Sequence, residues 1–222
     1  KDIMNKNTNL HRKDIDEKRF EQLKRKIIEI FKNHEIDLPD IEIDFSDEKT
    51  PIYRPVGAEF GYCSGDKKNQ VPLIQLAIPV ETDERYIYPM IAYQLSHEYT
   101  HAYIHRCVFQ GSSNFINELL AEATSHLCLI ELGFREYEVE ARQGQAITPR
   151  KLYDYIMTRK DKIYKNYSDV YGENGCYLGL ITNHIDVWRL VKKFKSILNV
   201  QNSTCEYDLQ FIYESGFFKE LE

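Results

Sequence analysis

The spacing of apolar residues changes near residue 80, and this change limits the folds open to the chain. Before it, apolar and polar residues alternate in short runs, as they do in half-buried strands. After Tyr88, apolar residues recur at the spacing of a helix face. A helix of the same pattern precedes the runs, beginning at Asp14 and ending before Asp37. The predicted strands cover residues 41–45, 58–62 and 71–80, and the later helices cover residues 90–106, 115–132, 148–165 and 176–198.

Strands followed by helices predict an α+β fold. We expect a small antiparallel or mixed sheet, followed by a mostly helical C-terminal half. Pro72 and Pro79 lack the N–H that a central strand would use, so the strand over residues 71–80 is predicted at a sheet edge or with prolines near its ends. No convincing linker interrupts the 222 residues. The predicted organisation is a flexible tail over residues 1–13 and a single domain over residues 14–222.

Composition excludes several classes of protein. Hydrophobic residues make up 42% of the chain, which rules out wholesale disorder. No apolar run approaches the roughly 20 residues that a membrane span needs. The formal charge of −6 argues against a surface that coats nucleic acid. Neither a membrane nor a nucleic acid is therefore an expected partner.

The cysteines indicate a reducing compartment. There are five, scattered along the chain without a C-x-x-C pair, so neither a disulfide framework nor a thiolate zinc site is expected. Residues 1–13 lack the apolar stretch of a secretory signal. The predicted location is the cytoplasm, and a secreted protein whose signal has been removed is the alternative.

The most informative segment for chemistry is residues 97–101, which read H-E-Y-T-H within a predicted helix. His97 and His101 are one helical turn apart, so both imidazoles can reach one small cation. Glu98 points about 100° around the helix from His97, close enough to reach a water on that cation without being a ligand. This is the H-E-x-x-H pattern of zinc metallopeptidases, and the implied cofactor is Zn²⁺.

The next predicted helix supplies candidates for a third ligand. Glu118 and Glu122 lie at i and i+4 among mostly apolar residues. Burying two carboxylates without a partner would be costly, and a cation together with a ligating histidine would relieve that cost. If the preceding helix continued to Gln110, its rise would bring Glu122 rather than Glu118 level with His101. Both carboxylates therefore remain candidate ligands.

This order of motifs resembles the gluzincins, the thermolysin-like and aminopeptidase N-like metallopeptidases. In that family H-E-x-x-H is followed on the next helix by an N-E-x-x sequence whose glutamate is the third ligand. Residues 117–122, N-E-L-L-A-E, are similar to it, and the resemblance covers about residues 56–135. It implies a compact zincin-like domain with an edge strand beside the H-E-x-x-H helix. It also implies that Glu118 binds zinc and that Glu122 accepts a hydrogen bond from a ligating histidine.

The same resemblance implies a residue that stabilises the oxyanion, a tyrosine or histidine well downstream of the third ligand. Tyr177 is our choice for this role. The other candidates are Tyr171, His184 and His126.

The predicted function is a zinc-dependent metallopeptidase that hydrolyses peptide bonds with a metal-activated water and Glu98 as general base. Its expected partner is a peptide or protein substrate, added as an extra strand along the edge strand over residues 71–80. One alternative is a regulatory peptidase that cleaves a single partner protein. A second is a non-catalytic module of the same fold that only binds zinc.

Overall fold

The computed structural model describes most of the predicted helical regions and parts of the strand region. Within the described residues, the helices whose bounds it gives are α1 (Glu17–Asn33), α2 (Glu84–Ile104), α3 (Phe115–Glu131), α4 (Arg135–Ala141) and α5 (Val187–Gln201). It also assigns three short strands: β1 (Glu42–Asp44), β2 (Gly57–Cys63) and β3 (Val71–Ala77). The described residues are 15–44, 57–63, 71–78, 83–104, 115–142, 180–182, 184–201 and 216–217.

Two sequence predictions lie outside these residues, namely the tail over residues 1–13 and the helix over residues 148–165. Among the helices that are described, none combines the length and hydrophobicity needed to cross a bilayer.

The predicted α+β class is wrong, because the interpretable part of the chain is mainly helical. Its three strands are only three to seven residues long. The burial pattern gives the physical reason. Helix α2 alone buries 15 residues, and α1, α3 and α5 pack around it. Alternation of apolar residues predicts local extended backbone, but here the helices carry the core.

Of the two alternatives for the strand over residues 71–80, the position at a sheet edge is wrong. β3 pairs with β1 in parallel and with β2 antiparallel, so it has a backbone neighbour on each side. Pairing with β1 begins at Leu73, one residue after Pro72. The proline therefore lies at the start of the paired segment, where its missing N–H is tolerated. A substrate strand added along β3 is not supported by this arrangement.

The core is built where α1, α3 and α5 pack around α2. Phe31 of α1 contacts the rings of Tyr99 and Trp188 edge-on, with centroids 6.3 and 5.2 Å apart. Phe194 of α5 is fully buried in the same cluster. The middle of α2 is therefore held on several sides, which fixes the orientation of the polar residues that it carries.

Helix α2 begins earlier than the sequence pattern predicted. The Asp83 carboxylate accepts a hydrogen bond from the N–H of Arg85 at 3.1 Å, which satisfies one of the free donors at the helix start. Pro89 is of a residue type that suits the first turn of a helix, but it lies inside this one. The start of the helix is set by the capping Asp83 and by the burial of Ile87 and Tyr88 rather than by the proline.

Helix α3 ends in a tight turn that leads directly into α4. Gly133 has a φ of 83°, in the left-handed region that glycine adopts without strain. Its N–H donates to the carbonyl of Ile130, and the next N–H, that of Phe134, donates to the carbonyl of Leu129. This corner brings α4 back against the end of α3.

Candidate metal centre

Helix α2 brings two histidines of the H-E-x-x-H segment together in a buried position. His97 and His101 are each 9% exposed, and their Nε2 atoms lie 3.0 Å apart. Glu98, between them in sequence, is also buried. The i, i+4 spacing on a well-packed helix accounts for this convergence.

Helix α3 adds a carboxylate that contacts both rings. The Glu118 oxygens lie 3.2 Å from Nε2 of His97 and 3.3 Å from Nε2 of His101. One ligand atom from each of the three residues falls within 4.8 Å of the others. Such a group could hold a metal ion. Two imidazoles and a carboxylate suit Zn²⁺ but also accept other divalent transition metals.

The electrostatics of this triad favour a positive charge between the side chains. Burial lowers the pKa of His97, but hydrogen bonds to Glu118 and Glu122 outweigh it, so the net pKa lies well above its usual range. Burial raises the pKa of Glu118, while the charges and hydrogen bonds of His101 and His97 bring it well below its usual range. The site thus stabilises cationic partners next to an ionised carboxylate, and a metal ion could replace the protons.

Glu122 contacts the triad from outside. One of its oxygens lies 3.3 Å from Nδ1 of His97, the ring nitrogen opposite the one that faces Glu118. The carboxylate is 2% exposed and also accepts a hydrogen bond from the Tyr93 hydroxyl. In this position Glu122 would orient His97 rather than share an ion with it. Tyr93, one turn before His97 on α2, was not identified from the sequence, because an i−4 tyrosine on a buried helix face resembles an ordinary core residue.

A further set of buried charges continues beyond Glu122. His126 is 0% exposed, and its ring nitrogens lie 3.3 Å from Glu122 and 3.3 Å from Glu138 of α4. Arg142 binds Glu138 with two hydrogen bonds, of 2.6 and 2.9 Å. Sequence analysis missed Glu138 and Arg142. Their i, i+4 spacing was a signal for a pair, but such pairs are usually solvated.

The remaining catalytic candidates are less well defined. Glu98 is near enough to His97 and His101 for its charge to contribute to their raised pKa values, after the larger effects of burial and of Glu118. Tyr177 and Tyr171 lie outside the described residues. His184 is exposed and adopts a positive φ of 57°. His126, the last candidate for stabilising an oxyanion, is occupied by its two carboxylate partners.

The cysteine prediction can be examined at one position. Cys128 of α3 is a buried free thiol, and burial raises its pKa far above the usual range. A thiol of this kind is a packing residue with little tendency to ionise.

Comparison of the chain with protein-family models, with curated proteins and with solved structures found no match. The indication of function comes from the side chains of His97, His101 and Glu118 and their geometry.

Proposed function

We propose that the protein is a zinc-dependent metallopeptidase, with His97, His101 and Glu118 as the metal ligands. The observation that supports this most directly is the convergence of one ligand atom from each of these residues within 4.8 Å. Three protein ligands is the number typical of catalytic zinc, which keeps a position for water or substrate. The donors also fit the ion chemically, because both imidazoles point their Nε2 atoms at the same carboxylate.

When bound, zinc would polarise the scissile carbonyl and make water a stronger nucleophile at neutral pH. In this proposal Glu98 is the general base, which accepts the proton of the attacking water and passes it to the leaving amine. Its place on α2 next to His97 supports this role, because it is close to the ligands without belonging to the triad. Tyr177 stays a proposed oxyanion donor.

The choice of Glu118 over Glu122 as third ligand follows from which ring atoms each carboxylate faces. Glu118 contacts Nε2 of both histidines, whereas Glu122 contacts only Nδ1 of His97. The gluzincin resemblance, an H-E-x-x-H helix followed by a helix with an N-E-x-x ligand, is part of the same proposal.

One observation favours the alternative of a non-catalytic zinc-binding module. The side chains of His97 and His101 are 11% exposed and that of Glu118 is 12% exposed, which is low for groups that must meet a substrate. The two proposals differ in one measurable respect, since both require zinc but only the peptidase requires hydrolysis that depends on Glu98.

The test combines metal analysis with peptide cleavage. We expect the wild-type chain to bind one zinc and to cleave a peptide mixture of broad composition, with products followed by mass spectrometry. Glu98→Gln should retain the zinc and lose activity by about 10²–10⁴-fold, because it removes the general base. The matched control, Glu29→Gln, changes an exposed glutamate of α1 and should leave both properties intact.

Each other outcome would decide against a part of the proposal. A zinc stoichiometry near zero would overturn it entirely. Bound zinc without any hydrolysis would favour the non-catalytic module. Hydrolysis that survives Glu98→Gln would show that another residue is the base.

A further inference from the structure

The buried charges behind the triad form a continuous chain from α2 to the surface end of α4. Glu122 contacts His97 with one oxygen and His126 with the other. The second nitrogen of His126 contacts Glu138. Arg142, at the C-cap of α4, binds both oxygens of Glu138. Three side chains, two from α3 and one from α4, thus connect His97 to the partly exposed guanidinium of Arg142.

The signs of these groups alternate, which explains how they can be buried together. Glu122 and Glu138 are almost fully inaccessible, and an isolated carboxylate in such a place would be costly. His126 can satisfy both only if each ring nitrogen carries a proton, because both partners are acceptors. Arg142 then neutralises the charge of Glu138 with a bidentate contact, which fixes the plane of that carboxylate as well as its position.

We propose that Arg142 is a positioning residue for the metal site, acting through Glu138, His126 and Glu122 on His97. This rests on the proposed function in one respect, that His97 is a ligand. The guanidinium fixes the position of the Glu138 carboxylate through two hydrogen bonds. Glu138 in turn orients the ring of His126, so that its other nitrogen faces Glu122. The Glu122 carboxylate then stays turned towards Nδ1 of His97, so that Nε2 points at Glu118. Metal affinity is therefore set in part by α4, a helix that carries no ligand.

Arg142 is 37% exposed in its side chain, which makes it the member of the chain that can be replaced with the least damage to the core. Arg142→Gln removes the charge and the fork, and Arg142→Lys keeps the charge without the fork. Arg135→Gln is the matched control, since Arg135 is an exposed arginine at the other end of the same helix.

The first readout is metal affinity, measured with Co²⁺ by its visible absorption and with Zn²⁺ by competition against a chelator. We expect Arg142→Gln to weaken binding by about tenfold, the lower end of the range for residues that orient ligands. Arg142→Lys should recover part of the loss, and Arg135→Gln should match the wild type. Equal affinity in Arg142→Gln and Arg135→Gln would overturn the proposal.

A second readout uses the metal-free protein, so that it does not depend on whether zinc is the natural ion. Imidazole ¹⁵N signals of His126 and His97 are recorded by NMR in the same variants. Arg142→Gln should shift the signals of both rings, and Arg135→Gln should shift neither. A change confined to His126 would show that the chain of contacts does not reach His97, and this would overturn the proposal even if Arg142→Gln weakens metal binding.

Discussion

The described part of the chain contains two buried clusters of histidine and glutamate that differ in one geometric respect. In the convergent cluster, His97, His101 and Glu118, atoms of all three side chains face one point. In the bridging cluster, Glu122, His126 and Glu138, a single imidazole lies between two carboxylates and uses a different nitrogen for each. The contact distances are nearly the same, 3.2–3.3 Å in the first and 3.3 Å in the second.

Proximity of histidine and glutamate does not by itself make a metal site. The two nitrogens of one imidazole point away from each other, so the carboxylates of the bridging cluster cannot share an ion with the ring between them. Two histidines one helical turn apart can share one, provided that a carboxylate from a neighbouring helix closes the group.

The largest expected difference between the clusters is in metal binding. We expect His101→Gln to abolish stoichiometric binding of Zn²⁺, because it removes one of three ligands. The same change in the bridging cluster, His126→Gln, should leave one ion per chain. Metal content of the purified proteins measures both, and equal loss in the two variants would show that the clusters do not differ as described.

The next largest effect is on the stability of the metal-free protein. His126→Leu leaves two buried carboxylates without the cation between them, and we expect a loss of about 3–5 kcal/mol in the free energy of unfolding. His101→Leu should cost less, since Glu118 keeps its contact with His97. Urea unfolding of the metal-free variants gives the comparison. A larger loss in His101→Leu would reverse the ranking.

Glu122 belongs to the bridging cluster but contacts a ligand of the convergent one. Glu122→Gln should therefore weaken Zn²⁺ binding by about 10–100-fold while one ion still binds. Glu118→Ala, by contrast, should abolish stoichiometric binding. Titration of the two variants against a chelator of known affinity measures this difference. Equal Zn²⁺ affinities in the two variants would contradict the assignment of Glu118 as a ligand and Glu122 as an orienting residue.

The smallest effect concerns protons. The pKa of His97 and that of His101 lie above the usual range despite burial, because of the carboxylates beside them, so the pair of rings tends to hold an extra proton in the metal-free protein. Zinc must displace this proton. Its apparent affinity should therefore fall as the pH falls, by about tenfold per unit for each proton displaced.

Calorimetry in two buffers of different ionisation enthalpy counts the protons released. His126, in the bridging cluster, should keep its proton when the ion binds, so His126→Gln should leave the count unchanged. Binding without any proton release at neutral pH would contradict the electrostatic description of the convergent cluster.

Local patterns in the sequence predicted individual helices better than they predicted the class of fold. The predicted helix over residues 115–132 ends within one residue of α3, and Ile27 and Phe31, in the predicted first helix, are fully buried. The α+β class failed because alternation in three short runs says nothing about how much of the core the strands supply. The predicted start of α2 at residue 90 was too late, because tertiary burial around Ile87 and Tyr88 outweighs a local signal.

For the site, the sequence supplied the candidates but not their arrangement. The spacing of His97 and His101 depends only on helix geometry, and it needed no tertiary information. The choice between Glu118 and Glu122 depends on how α2 and α3 pack, which helical periodicity does not specify. Glu138 and Arg142 were missed because the burial of Glu138 and its contact with His126 arise from the corner between α3 and α4.

That corner depends on a single torsion at Gly133. A β-carbon built on this residue would meet nothing within 4 Å, so space is not what restricts the position. The restriction is one of chirality. An L-alanine would cost about 1–2 kcal/mol in the left-handed region, whereas its mirror image, D-alanine, would adopt the same torsion with ease. The turn that places Glu138 near His126 is thus selective for the handedness of the residue at this position, while it leaves room for a β-carbon.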